Sequence, residues 1–206
     1  MKIAVGLGDS IIQGQGQSGG ASGAFIAYAG AILGWTVVNQ GVGSSGYLVS
    51  LFSEPTFRSR LSGVVAANPD VVVIEGGTND VPAFGVSLAD LTAEVTLFYA
   101  ALRAALPSAK FYILAPSRQS RVLADILAIR DMLKIVTAPY GTFIDWLSPY
   151  WITGSGSVGH ATGDGNADLY VNGSDLTHPS ADGHKYLGQR LAFAISPPST
   201  GLVGGW

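Results

Sequence analysis

The stretch Asp70-Val-Val-Val-Ile-Glu75-Gly-Gly-Thr-Asn79-Asp80 decides the fold. Its first half is an apolar, β-branched run with no polar residue inside it, so a strand made from it has no face to turn to water. Such a strand must be covered on both sides, as in a parallel sheet packed between helices. Four further runs of this kind, Lys2–Leu7, Trp35–Asn39, Lys110–Ala115 and Thr142–Trp146, alternate with longer helical patterns. That alternation marks stacked βαβ units and predicts an α/β fold around a central, mostly parallel five-stranded sheet.

The helical patterns lie between and after these runs. Ser87-x-x-Asp90 resembles a capping box, and Leu88, Leu91, Val95, Phe98 and Leu102 then recur at steps of three and four until Pro107. A second helix is predicted from about Ser120 to Thr137, with Val122, Leu123, Ile126, Ile129, Leu133 and Val136 as its buried stripe. A third is predicted to start at Pro179, placed where its missing N–H costs nothing, and to run to about Ile195. Shorter candidates lie at Ser22–Leu33 and Thr56–Ala67. The Gly-rich stretch Gly154–Gly173 is too long for an ordinary connection and reads as a functional loop or lid unless it is disordered. Residues 197–206 read as a linker-like tail, which leaves 1–196 as one domain.

Composition narrows the classes. Of 206 residues, 48% are hydrophobic and only 12% charged, a globular balance long enough to bury a core without staples. Eleven Lys and Arg against fourteen Asp and Glu give a net charge of −3 with no basic cluster, so a nucleic-acid partner is not expected. The apolar runs are far shorter than the roughly 20 residues of a membrane span. No cysteine is present, which removes disulfides, thiolate nucleophiles and the usual structural zinc sites. Met1–Leu7 is too short for a signal peptide, so a chain without a signal, a mature extracellular form or a domain excised from a larger protein is expected.

In an open α/β sheet the working residues gather at the carboxyl ends of the strands. Here those loops are Gly8-Asp9-Ser10, Asn39-Gln-Gly-Val-Gly-Ser44-Ser-Gly46 and Gly76-Gly-Thr-Asn79-Asp80, with Asp175-Leu-Thr-His178 before the last helix. A serine hydroxyl becomes a nucleophile when an imidazole takes its proton, and the imidazole needs a carboxylate to fix its tautomer. Ser10, His178 and Asp175 supply the three types, and a spacing of three lets Asp175 reach the far nitrogen of His178. An ester under attack also develops an oxyanion, for which Asn79 and the glycine-rich second loop offer donors.

These segments, in this order, resemble the SGNH hydrolases, the GDSL family of esterases and lipases. Gly8-Asp9-Ser10-Ile11 is similar to the block with the nucleophile, Gly77-Thr78-Asn79-Asp80 to the block with the oxyanion asparagine, and Asp175-x-x-His178 to the block with acid and base. The resemblance covers nearly the whole chain and implies a flavodoxin-like three-layer α/β/α sandwich and metal-free, cofactor-free hydrolysis of acyl esters. It also implies an oxyanion hole built from the Ser10 N–H, the Asn79 amide and a second-loop N–H. The family's glycine at that last position is Ser44 here, and serine has the same backbone donor.

Plainer readings stand beside these. An isolated Gly-Asp-Ser is most often a turn or helix cap. Gly16-Gln-Ser18-Gly-Gly20 matches the elbow of α/β-hydrolases but lacks the strand that must precede it. Gly14-Gln-Gly16-Gln-Ser-Gly19 spells a dinucleotide fingerprint, yet it starts well after the first strand and behind Asp9, whose charge opposes a pyrophosphate. Asp164-Gly-Asn166-Ala-Asp168 begins like a calcium loop whose twelfth position is Asp175, but Leu169 replaces the required glycine. Asn172-Gly-Ser174 is a glycosylation sequon only in a host that glycosylates. Of the other histidines, His184 is expected to pack or bond locally in the last helix, and His160 has no acid near it in sequence. Asp80 is an alternative partner for a histidine, though its place beside Asn79 points to bracing of the loop. Trp146, Tyr150 and Trp151 read as core or pocket wall, with sugar stacking as the other reading.

The resulting expectation is a serine hydrolase acting through an acyl-enzyme on a small-molecule or acetylated-saccharide ester, with short acyl groups preferred because no long apolar lid is apparent. The alternative is a non-catalytic carbohydrate-binding module of a larger surface or phage-tail protein. A flavodoxin-like cofactor protein is a further rival that lacks a phosphate loop.

Overall fold

In the computed structural model, which describes residues 1–49, 51–118 and 121–197, the five apolar runs form one sheet. Its strands are β1 (Lys2–Gly8), β2 (Trp35–Gly41), β3 (Val71–Glu75), β4 (Lys110–Leu114) and β5 (Thr142–Ile144), in the order β2-β1-β3-β4-β5. Every neighbouring pair is parallel, so the sheet is wholly rather than mostly parallel. This is the flavodoxin-like order, whose direction of winding reverses between β1 and β3 and opens a crevice there.

All five residues of β3 are buried, as a central strand covered on both faces requires. Edge strand β2 departs from that expectation: Thr36 and Val38 face outward, and Val38 is 37% exposed. An edge strand has only one flanking neighbour and less helix over it.

Among the described residues seven α-helices accompany the sheet: α1 (Ser10–Gln13), α2 (Phe25–Leu33), α3 (Leu61–Ala66), α4 (Leu88–Ala105), α5 (Leu123–Thr137), α6 (Ala167–Tyr170) and α7 (Ala181–Ile195). Helices α2 and α7 pack together, and α4 packs against α5. At Gly188 of α7 a Cβ would come within 2.5 Å of the Tyr28 Cβ and 2.6 Å of the Phe25 carbonyl, so glycine permits the close α2–α7 approach. Ser87 caps α4 by accepting from Asp90 N at 3.1 Å while its hydroxyl donates to the Asp90 carboxylate at 2.6 Å.

Several boundaries differ from the sequence reading. Pro179 is not the first residue of α7; Ser180 is its N-cap, accepting from Gly183 N, because a hydroxyl there satisfies an amide that proline would leave bare. The Thr56–Ala67 candidate splits into a 3₁₀ turn at Arg58–Arg60 and short α3. Helix α5 starts at Leu123; Ser120, its expected start, and tail residues 198–206 lie outside the described residues. No described helix is long and apolar enough to cross a membrane.

Register sets up the site. Gly8 pairs with Gly41 on one side and Glu75 on the other, and Glu75 pairs with Leu114. The ends of four strands are therefore level, and the loops after them open onto one rim.

Candidate active site

Ser10 begins the short helix α1 directly after β1. Asp9 is the N-cap, its Oδ1 accepting from Ile11 N at 2.9 Å, and Gly14 closes the turn at φ 90°. A first-turn amide has no acceptor within its helix, so the Ser10 N–H is left to meet something else. The second loop passes close: a Cβ on Gly43 would lie 3.8 Å from that of Ser10.

His178 arrives from 168 residues away. Its Nε2 lies 2.9 Å from Ser10 Oγ and its Nδ1 3.0 Å from Asp175 Oδ2. Asp175 Oδ1 accepts from the N–H groups of Thr177 and His178, both at 2.9 Å. Partial burial pushes the Asp175 carboxyl up, but those N–H donors and the imidazole outweigh it and hold it below its ordinary value. Gly16, at φ 97°, lets the glycine-rich loop close on this segment, since a Cβ there would meet the Pro179 carbonyl at 2.4 Å and the His178 Cβ at 2.7 Å. Asn172 ties the same contact by donating to Gly16 O. The fingerprint-like glycines and the sequon asparagine thus serve the packing of the histidine loop.

Asn79 is 5% exposed. Its Nδ2 donates to Ser45 O at 2.9 Å and its Oδ1 accepts from Arg121 at 3.3 Å. Asp80 braces the second loop, its two oxygens taking the N–H groups of Tyr47, Leu48 and Val49 at 2.8–2.9 Å. Burial raises the Asp80 carboxyl above its ordinary value, against the pull of these three donors. Ser44 sits at φ 63°, in the left-handed region where glycine is at ease and other residues are strained.

Beneath Ser10 lie two fully buried acids. Asp9 Oδ2 and Glu75 Oε2 have no hydrogen-bond partner. Two carboxylates cannot bond each other, and the charge of one favours keeping a proton on the other. Burial raises Asp9 to about 6 and Glu75 well above its ordinary value. His178 opposes the rise at Asp9, the charge of Asp9 adds to the rise at Glu75, and Glu75 accepts from Ser117 N at 3.2 Å. Arg60 bonds Gly8 O and Ser45 Oγ from the same side; burial lowers its guanidinium to about 10, opposed by Asp9 and Glu54.

The remaining candidates go elsewhere. Ser18 lies exposed in a turn. Asp164 and Asp168 spend their oxygens on Ser155, Thr162 and Gly163, and Asp175 faces His178 instead of joining them. His184 packs in the interior as expected, but its bonds run across the fold and not locally: it accepts from Phe25 N at 3.2 Å and donates to Gln15 O at 2.9 Å. Trp146 and Trp151 are buried at an edge-on 5.9 Å contact, while Tyr150 is 39% exposed. Glu75, Arg60 and Arg121 escaped the sequence reading; the one signal was an acid closing an otherwise apolar run at Glu75.

A Ser–His–Asp chain at the carboxyl ends of a doubly wound parallel sheet is an arrangement of serine-type acyl hydrolases. The chain belongs to the GDSL-like Lipase/Acylhydrolase family, whose model matches residues 7–186, and with it to the carboxylic ester hydrolases. Among solved structures it is similar to the lipase/acylhydrolase from Enterococcus faecalis, at 21% identity and a TM-score of 0.69 over 95% of each chain. It is also similar to a carbohydrate esterase family 2 enzyme with a carbohydrate binding domain from Corynascus thermopiles (Myceliophthora fergusii), at 24% identity and a TM-score of 0.67, covering 94% of this chain and 65% of that one. A family two carbohydrate esterase from Clostridium thermocellum in complex with cellohexaose aligns at 17% identity and a TM-score of 0.69, covering 94% and 63%. Among curated proteins none matches.

Proposed function

We propose that Ser10 is the nucleophile of a serine esterase that prefers short acyl groups. The observation that carries this reading is the chain Asp175–His178–Ser10, with hydrogen-bond distances of 3.0 and 2.9 Å. Ser10 Oγ attacks the ester carbonyl and gives its proton to His178 Nε2, while Asp175 holds Nδ1 and stabilises the imidazolium. The oxyanion is met by the N–H groups of Ser10 and Ser44 and by the Asn79 amide. Collapse expels the alcohol, which takes the proton from His178. Water, deprotonated by His178, then attacks the acyl-enzyme; collapse frees the acid and returns the proton to Ser10.

A cavity of about 270 Å³ flanks this chain, lined among others by Ile11, Leu147, Tyr150, Trp151, Thr177 and Pro179. It is smaller than the roughly 300–1,000 Å³ of sites that enclose drug-sized ligands, which supports a short acyl group over a fatty one. The likeness to carbohydrate esterases, one of them holding cellohexaose, supports an acetylated saccharide as the substrate class. The test is a hydrolysis panel of nitrophenyl esters from acetate to palmitate alongside acetylated saccharides, run on wild type and Ser10→Ala. Hydrolysis falling with chain length and abolished by Ser10→Ala is expected. Preference for palmitate would overturn the acyl assignment, and an active Ser10→Ala the nucleophile.

A further inference from the structure

We infer that Arg121 is a positioning residue of the oxyanion hole, acting through the side-chain amide of Asn79. Its guanidinium lies between the end of β4 and the start of α5 and is held from three sides. Nε donates to Thr78 O at 3.2 Å, Nη2 donates to Asn79 Oδ1 at 3.3 Å, and the group lies 4.8 Å from the centre of the Phe84 ring. Thr78 is itself tied to the loop after β4 through Ser117 O at 2.9 Å, so the carrier of Asn79 is fixed at both ends.

An amide side chain can sit in two orientations that differ by exchange of oxygen and nitrogen. The partners here permit one. A guanidinium only donates, so it must face Oδ1; Ser45 O only accepts, so at 2.9 Å it must face Nδ2. The reverse orientation would set donor against donor and acceptor against acceptor. One Nδ2 hydrogen is spent on Ser45 O, and the second is free to meet the oxyanion. A cation at Oδ1 also draws electron density from the amide and strengthens that N–H as a donor. The inference rests on Asn79 being an oxyanion donor, as proposed above.

Asn79 alone should be worth about 10²- to 10³-fold in kcat. Arg121→Ala, which leaves the amide free to turn, is expected to lower kcat for a nitrophenyl acetate by roughly 10-fold with KM within about twofold, and Arg121→Lys to recover part of that loss. In the Asn79→Ala background, Arg121→Ala should cost less than about twofold, because the group it acts through is gone. Arg121→Gln, which keeps a donor toward Asn79, is read in the same cycle so that early melting of the alanine variant does not decide the result. Wild-type kcat in Arg121→Ala and Arg121→Gln, losses that multiply in the double variant, or a rise in KM alone would overturn the inference. Ser10→Ala and Asn79→Ala are measured in parallel: activity surviving Ser10→Ala, or an Asn79→Ala kcat within about tenfold of wild type, contradicts the reading of the site itself, whatever Arg121 does.

Discussion

Asp9 and Glu75 are both fully buried beneath Ser10, and the charge of Asp9 adds to burial in pushing the Glu75 carboxyl up. Asp9 caps the helix that carries Ser10, and Glu75 ends the strand beside it, so this pair joins the first and third loops of the site.

Glu75→Gln tests the buried acid pair through stability. Both acids have folded values above their unfolded ones, so their contribution is fully present below about pH 4 and is lost as pH rises through Asp9's value of about 6 and then Glu75's. Glutamine fills nearly the same space without a proton to lose. Urea midpoints should be nearly equal at pH 4, with Glu75→Gln ahead by about 1–2 kcal/mol at pH 8. A variant equally destabilised at both pH values would contradict the raised values of the pair.

His184 should act in the opposite sense. Burial lowers its value against the pull of Gln15 O, and Phe25 N needs Nδ1 unprotonated. A depressed value gives stability that is present above the unfolded pKa of about 6.5 and lost as pH falls through the folded one. His184→Ala should cost about 2–4 kcal/mol at pH 8, since it leaves Phe25 N–H and Gln15 O unpaired, and less at pH 5. Thermal melts at the two pH values check this; a penalty that grows on acidification would contradict it.

Ser44→Gly isolates backbone strain. Relief of a positive φ is worth roughly 1–2 kcal/mol, less about 0.5–1 kcal/mol for the added freedom of the unfolded chain. A net gain of about 0.5–1 kcal/mol is expected, with kcat within about tenfold because the N–H donor stays. A collapse of kcat in a folded Ser44→Gly would assign the work to the hydroxyl.

The strands are legible in the sequence because runs such as Val71–Ile74 exclude water from both faces, which leaves one kind of sheet. Ser10, Asp175 and His178 are legible as residue types that need one another, although nothing local tells that a histidine 168 residues away lies 2.9 Å from Ser10. Glu75 is not legible as part of the floor, because an acid at the end of a strand ordinarily faces solvent. Arg121 falls inside the helix expected from about Ser120, whereas α5 starts at Leu123, and its partners Thr78 and Asn79 are set by β3–β4 pairing. The start of α7 is misplaced by two residues, at Pro179 instead of Ala181, because proline and serine both favour helix starts and only the structure shows that the Ser180 hydroxyl finds an amide.

The central claim is that Ser10 forms the acyl-enzyme. Its most direct test is mass spectrometry of the protein after inactivation by a serine-directed phosphonate. A single adduct on the peptide containing Ser10, formed in step with loss of ester hydrolysis and absent in Ser10→Ala, is the result this account predicts. Full inactivation with the adduct on Ser18, or on any residue other than Ser10, would contradict it.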